Sequence, residues 1–85
     1  MRPEAVKPVE DLNEVERFLF SLIPSAVKAL AGSLTLPDKE ADFFRYRYIE
    51  RLPYNSIADK LYSYEREVAR LRSRVLLSCR RQFFS

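Results

Sequence analysis

Apolar positions in the first third of the chain recur at the spacing of a helix. Between Asp11 and Pro24 they fall mostly three or four residues apart, which places them on one helical face. The members of this face are Leu12, Val15, Phe18, Leu19, Leu22 and Ile23. Asp11 or Asn13 is suited to cap such a helix. Pro24 is predicted to end or kink it, because proline lacks an amide donor.

Two more helices are predicted in the middle of the chain. One has Pro24 in its first turn and ends at Gly32, since proline favours a helix start and glycine a helix end. The next has Pro37 at its first position, followed by the anionic side chains Asp38 and Glu40, which suit the positive end of the helix dipole. Its apolar stripe comprises Ala41, Phe44, Tyr48, Ile49 and Leu52, and its arginines Arg45, Arg47 and Arg51 fall largely outside that stripe.

A short helix, a brief turn and a long basic helix are predicted to follow Pro53. The short helix has apolar positions on one face, at Tyr54, Ile57, Ala58 and Leu61. Only residues 62–64 separate it from the long helix, whose inward positions are Val68, Leu71, Val75, Leu76 and Cys79. Two helices joined in this way are typical of a helix-turn-helix.

Composition supports an all-α fold. The chain of 85 residues has one glycine, and no turn pair lies between runs that alternate apolar and polar residues, as a hairpin requires. This length suits one small domain. We predict a small all-α domain in which residues 1–33 form an N-terminal arm and a helical packing or oligomerisation segment. Residues 34–85 are predicted to form a C-terminal domain that contains the helix-turn-helix.

Charge is distributed unevenly between the two halves of the chain. Up to Asp42 there are five basic against eight acidic residues, a net charge of −3, and from Phe43 onwards ten against four, a net charge of +6. Eleven of the fifteen cations are arginine, whose guanidinium group binds phosphates and guanine edges in a fork. The charge is consistent with a nucleic-acid partner, and equally with a solvated helical face that uses arginine.

Several classes of protein are disfavoured by the same composition. The longest apolar run is far shorter than the ~20 residues of a membrane-spanning helix, and no signal-peptide pattern opens the chain. One cysteine and no histidine leave little means of holding a metal, and neither a glycine-rich phosphate loop nor a paired-carboxylate site is present. We therefore expect a cytoplasmic protein that is not an enzyme, with no cofactor, no bound metal and no membrane partner.

Residues 34–83, LTLPDKEADFFRYRYIERLPYNSIADKLYSYEREVARLRSRVLLSCRRQF, resemble region 4 of bacterial sigma factors. The matching positions are Leu36-Pro37, Arg47-Tyr48, Leu52, Tyr54, Ile57-Ala58, Leu61 and Val68. The stretch LYSYERE is closer still to the turn of the ArpU/RinA-like phage transcription regulators. The resemblance implies that residues 34–85 are a DNA-binding domain and that the protein is a sequence-specific transcription regulator, and the likeness to the phage group implies that it is phage-encoded. The resemblance also implies an alternative, a module that binds RNA polymerase or another transcription protein through the same fold, and a narrower one, the DNA-recognition domain of a phage packaging protein.

The chain departs from the family pattern at the turn. The usual glycine is replaced by Tyr62, so either the turn avoids a left-handed residue or Tyr62 adopts one under strain. The usual capping serine falls on Tyr64, and Ser63 is the candidate to cap the last helix one residue earlier. Glu67 stands where the family often has threonine.

Helix-turn-helix geometry predicts the DNA-binding residues, because the second helix enters the major groove. Arg66 and Arg70, four residues apart on one face, are predicted to contact bases. Glu67 either accepts from a cytosine amino group or pairs with Arg70 or Arg74. Predicted phosphate contacts are Arg74, Arg45, Arg47 and the helix start at Asn55 and Ser56, and the site is completed by Ser63, Tyr64 and Glu65.

Two further interpretations concern association and packing. A single recognition helix covers one half-site, so the N-terminal helices are predicted to form a homodimer interface on double-stranded DNA. Phe83 and Phe84 are expected to fold back onto the N-terminal helices or, alternatively, to contact a partner. Cys79 is expected to be buried, and Arg72, beside Leu71, is left out of the DNA site because it flanks the core.

Overall fold

The computed structural model describes residues 12–83, and all regular secondary structure in that range is helical. The elements are α1 (Leu12–Ser21), α2 (Pro24–Ser33), α3 (Asp38–Phe44) continuing into a π-helical turn (Arg45–Ile49), α4 (Tyr54–Lys60) and α5 (Glu65–Phe83). The all-α prediction is confirmed. The predicted N-terminal arm, the Asp11 cap and Phe84 lie outside the described residues.

Prolines set where three of the helices begin. Pro24 occupies the first turn of α2, and Ile23 before it is extended, which separates α2 from α1 as predicted. Pro37 and Pro53 are also extended and directly precede α3 and α4. Pro37 thus stands one residue before the first helical position, and Asp38 follows it in the first turn.

The prediction that α2 stops at Gly32 is wrong by one residue. The helix runs through Gly32 and ends at Ser33, and no glycine in the described range has a positive φ. Leu34 closes the helix in an extended conformation, with its amide donating to the Ala31 carbonyl at 3.3 Å. Because this end needs no left-handed residue, the conformational freedom of glycine is not required there.

One hydrophobic core joins the N-terminal helices to the rest of the described chain. Val15 and Leu19 of α1 and Val27 of α2 are buried in the same cluster as α5. The five predicted inward positions of α5 are all buried: Val68, Leu71, Val75, Leu76 and Cys79. Residues 12–33 therefore pack as part of the domain formed with the later helices.

The π-helical turn changes which side chains of the third helix reach the core. Phe43, Phe44 and Tyr48 are buried, whereas Ala41, predicted to lie in the apolar stripe, is exposed. In this turn the Glu50 amide donates to the Arg45 carbonyl five residues back, at 2.9 Å. The wider turn brings residues five apart onto one face, so Phe43 and Tyr48 both point inward, with ring centroids 5.9 Å apart.

The connection between α4 and α5 is a Schellman motif, a helix end closed by two backbone hydrogen bonds around a left-handed residue. The Ser63 amide donates to the Ala58 carbonyl at 2.9 Å, and the Tyr62 amide donates to the Asp59 carbonyl at 3.2 Å. Tyr62 has φ 54° and is the left-handed residue. Of the two alternatives for this turn, the strained one is therefore present.

Ser63 does not cap α5, contrary to prediction. Its hydroxyl donates to the Leu61 carbonyl at 3.1 Å, within the turn. The helix begins at Glu65, and the Tyr64 carbonyl accepts from the amides of Glu67 and Val68 at 2.9 and 3.1 Å. The backbone of Tyr64, and no serine side chain, therefore starts the hydrogen-bond ladder.

Replacing Tyr62 by glycine should raise the free energy of unfolding by about 1 kcal/mol, because glycine adopts the left-handed conformation without Cβ strain. Urea denaturation measures the change. Tyr62→Ala is the matched control, since alanine removes the ring but keeps the strained Cβ. A glycine variant no more stable than the alanine variant would contradict the assigned strain.

Candidate nucleic-acid interface

A largely buried ion pair joins the basic helix α5 to α1. Arg72 donates from Nη2 to Glu16 Oε1 at 2.9 Å and from Nε to both carboxylate oxygens at 3.2 Å. The side chains of Arg72 and Glu16 are only 20% and 16% exposed. Asn13 accepts a further bond from Arg72 Nη2 at 2.7 Å, and the Tyr48 hydroxyl donates to Glu16 Oε2 at 2.8 Å. Arg72 is thus committed to the fold.

The charge states of this network follow from its contacts. Burial alone would raise the pKa of Glu16, but the hydrogen bonds from Arg72 and Tyr48, with the positive charges of Arg72 and Arg47, lower the pKa below its ordinary value. The hydrogen bond to Glu16 also raises the pKa of Arg72. Burial, followed by the negative charge of Glu16, raises the pKa of Tyr48. The ion pair stays charged and Tyr48 stays protonated at neutral pH.

Arg47 also faces inward, so the prediction that it lies outside the apolar stripe is wrong. Its guanidinium carbon lies 4.6 Å from the ring centroid of Tyr54 and 5.3 Å from that of Phe20. Nη1 donates to the Leu52 carbonyl at 2.8 Å, and Nε is buried without a hydrogen-bond partner. Arg47 lies in the π-helical turn, which widens the helix at this point, and its contacts bind it to the fold rather than leaving it exposed to phosphate.

Arg51 anchors the C-terminal end of α1. Its Nη2 donates to the Leu22 carbonyl at 2.9 Å and its Nη1 to the Phe20 carbonyl at 3.3 Å, at a helix end where carbonyls lack helical partners. Arg51 itself has φ 60°. Its side-chain bonds offset the strain of that left-handed backbone.

Neither Glu16 nor Arg72 was assigned a role from the sequence, although their positions carried a signal. Glu16 lies four residues after Leu12 and three before Leu19, on the apolar face of α1. Arg72 has the same relation to Val68 and Val75 on α5. An acid and a base that both fall on inward faces predict a buried pair, because an unpaired charge there is strongly disfavoured.

The outer face of α5 carries a line of three exposed arginines, Arg66, Arg70 and Arg74, here called the outer row. They are four residues apart and lie opposite the buried face of the helix. Arg70 Nη1 lies 3.5 Å from Glu67 Oε2, so the intrahelical ion pair, one of the two alternatives given for Glu67, is present in the structure. Arg66 and Arg74 make no ion pair or hydrogen bond with any residue from 12 to 83.

The remaining predicted site residues lie on three other elements or at the start of α5. Arg45 is half-exposed, 3.8 Å from Asp42 and 3.5 Å from Glu50, with its guanidinium carbon 4.6 Å from the Tyr46 ring centroid. At the start of α4 the Asn55 side chain accepts from the Ser56 amide at 2.9 Å. Ser63 is partly buried in the turn, while Tyr64 and Glu65 are exposed at the start of α5.

The structure also exposes side chains that sequence patterns did not assign to the site. Tyr62 is 97% exposed and Leu77, on the outer face of α5, is 41% exposed. An open groove of about 620 Å³ lies between the start of α3 and the C-terminal half of α5; its lining includes Arg74, Leu77 and Arg81. Exposed side chains on the outer face of α5 therefore continue beyond the outer row towards the C-terminal end of the helix.

The chemistry of the described residues offers no metal centre. Within residues 12–83 no three histidine, cysteine, aspartate or glutamate side chains are grouped so as to hold an ion. Cys79 is buried as predicted, and burial raises the pKa of its thiol to about 12, which keeps it protonated. No helix in this part of the chain has both the length and the apolar character to cross a membrane.

Comparison with protein-family models, curated proteins and solved structures finds no match to this chain. The resemblance to sigma region 4 accordingly remains a prediction from residues 34–83.

Proposed function

We propose that the protein is a DNA-binding transcription regulator, without catalytic activity, that recognises double-stranded DNA through the outer face of α5. The observation that carries this proposal is the outer row, three exposed arginines four residues apart on the face of α5 opposite the core. Arginine is the side chain best suited to bidentate contacts with guanine edges and phosphates. A helix of 19 residues, about 28 Å long at ~1.5 Å per residue, is long enough to lie along a major groove.

The basic residues of the second half of the chain include some that are bonded within the fold and others that are exposed on the outer row. Of the ten basic residues from Phe43 onwards, Arg47, Arg51 and Arg72 donate to carbonyls or to Glu16 inside the fold. Of the other seven, Arg66, Arg70 and Arg74 form the outer row on α5. Their exposed guanidinium groups are accessible to an anionic partner, whereas Arg47, Arg51 and Arg72 are bonded within the fold.

The α4–α5 pair supplies the geometry of a helix-turn-helix in this proposal. Ile57 and Ala58 of α4 pack in the same core as Val68 and Leu71 of α5, and the Schellman motif fixes the turn between them. With α5 in the major groove, its N-terminal residues face base edges and α4 crosses the backbone. Arg66 and Arg70 then contact bases, and the phosphate contacts come from Arg74, Arg45, Asn55 and Ser56.

Binding to random-sequence duplex DNA tests the proposal, measured by fluorescence anisotropy across a salt series. Neutralising two phosphates, by Arg74 and Arg45, predicts a slope of log affinity against log salt of about −2, and a roughly twelvefold loss between ~50 and ~200 mM salt. Specific sites would then be selected from a random pool. An absence of binding at low salt would exclude DNA as the partner.

An alternative function, binding to RNA polymerase or another transcription protein, is favoured by a separate observation. Phe18 is 40% and Ile23 68% exposed near the junction of α1 and α2. The same apolar surface is our candidate for a homodimer interface that would place two recognition helices on half-sites about one helical turn apart. A contact built on these residues would keep its affinity as salt rises, which distinguishes it from DNA binding.

A further inference from the structure

Two tyrosines at the α4–α5 turn have solvent-exposed rings. Tyr62 is 97% exposed and Tyr64 is 78% exposed, more than any other large hydrophobic side chain in residues 12–83. Aromatic rings normally supply much of the apolar burial in a small domain. Here the other three tyrosines follow that rule, since Tyr48 is buried and Tyr46 and Tyr54 pack against the core.

The strained backbone conformation of Tyr62 is not compensated by packing of its side chain, which is almost wholly exposed. The described chain has two non-glycine residues with positive φ, Arg51 and Tyr62. Arg51 bonds two carbonyls of α1, which stabilises its conformation. Tyr62 occupies the position where glycine is the usual residue of a Schellman motif, yet its ring is almost wholly exposed. Strain of this kind, unrepaid by folded-state contacts, is typical of positions kept for function.

Cations flank the two rings, alongside the carboxylates of Asp59, Glu65 and Glu67. Lys60 stands two residues before Tyr62, and Arg66 two residues after Tyr64, both exposed. Exposed aromatic rings interleaved with cations are the chemistry that binds unpaired bases, since the rings stack on bases and the cations attract the phosphates beside them. The turn also lies at the N-terminal end of the helix proposed to contact base edges.

We propose that Tyr62 and Tyr64 stack on unpaired bases, so that the α4–α5 turn favours DNA with a short opened segment over fully paired DNA. This inference rests on the proposed DNA-binding function and adds a preference to it. In this arrangement the outer row holds the duplex beside the opening, and the two rings take up bases that the opening releases. Stacking tolerates any base, because every base has a π-face.

Three labelled DNAs test the preference with the full chain by fluorescence anisotropy: a duplex of random sequence, the same duplex with a bubble of about three unpaired nucleotides, and its single strand. Stacking of one or two bases predicts roughly tenfold tighter binding to the bubble than to the paired duplex. Tyr62→Gly should reduce that ratio to about threefold, and Tyr62→Gly combined with Tyr64→Ala should bring it to about one. Affinity for the paired duplex should stay unchanged in Tyr62→Gly, and the combined variant should lose more affinity for the bubble than for the paired duplex.

The matched control is the double variant Tyr62→Phe with Tyr64→Phe, which keeps both rings and removes both hydroxyls. It should retain the preference. Its loss would overturn stacking in favour of hydroxyl contacts, and a bubble preference that survives the glycine and alanine changes would remove these tyrosines from the site. Equal wild-type affinity for bubble and duplex would overturn this inference and leave the proposed function standing. Binding to none of the three DNAs would overturn both.

Discussion

Replacing Arg66 and Arg70 together by alanine should weaken binding to duplex DNA about a hundredfold, because each bidentate base contact contributes ~1–3 kcal/mol. The fold should tolerate the change. Arg66 makes no ion pair or hydrogen bond within the described chain, and the contact of Arg70 with Glu67 is an exposed ion pair. Alanine also favours helix. Anisotropy with a selected site measures the loss, and thermal unfolding verifies the fold.

A control with the same change in net charge separates recognition from general electrostatics. Arg17 of α1 and Lys28 of α2 are exposed cations outside the proposed interface. Replacing both by alanine should change DNA affinity by less than about threefold, since screened charges away from the interface contribute little. Equal losses in the two double variants would show that the outer row has no special role.

Replacing Glu16 by glutamine should lower the free energy of unfolding by about 3 kcal/mol, because it leaves the largely buried Arg72 without a counter-charge. Glutamine preserves the size of the side chain and one carbonyl acceptor, so the loss reports mainly the charge. Urea denaturation at neutral pH measures it. Such a loss is a large share of the ~5–15 kcal/mol that stabilises a typical domain.

The same pair predicts how stability depends on acid. The pKa of Glu16 is lower in the folded protein than its ordinary value, so the unfolded chain takes up the proton first as pH falls. The contribution is therefore complete above the ordinary carboxyl pKa of about 4.3 and is lost as pH falls through the lower folded value. The difference in stability between wild type and Glu16→Gln should shrink over that acidic window.

Glu14→Gln provides the matched control for both measurements. Glu14 is an exposed acid on the same helix, and its replacement should alter stability by no more than about 0.5 kcal/mol. A Glu16→Gln protein as stable as the Glu14→Gln protein at neutral pH would show that the Arg72 pair contributes nothing.

Local signals predicted most of the helices. Pro24, Pro37 and Pro53 restrict the backbone of their immediate neighbours, so the helix starts that they mark could be recognised in the sequence. The apolar spacing from Val68 to Cys79 follows the period of a regular helix, so the buried face of α5 could be recognised too. The spacing around Phe43 misled because it was interpreted with the α-helical period. A π-helical turn adds a residue to one turn, and no residue type in that segment marks the insertion.

The candidate site was predicted less completely, because some arginines of this chain are exposed on α5 and others are bonded within the fold. The outer row follows from helical spacing alone. Arg72 and Glu16, by contrast, are 56 residues apart, and Arg51 bonds carbonyls about 30 residues away; contacts over such separations depend on tertiary packing. The exposure of Tyr62 was likewise hidden, since an aromatic residue beside a turn is consistent with packing until the turn conformation is known.

The hydrogen bonds from Arg51 and Arg72 to α1 also limit which helices of this protein could be moved into a host protein. A chimera that borrowed only α4 and α5 would carry the guanidinium of Arg72 and the apolar face of α5 into a host lacking Glu16 and the α1 core residues. A unit exchanged between proteins would therefore have to include α1 together with α4 and α5. A library aimed at new DNA sequences would hold that scaffold constant and diversify its solvent-facing positions, above all 62, 64, 66, 70 and 74.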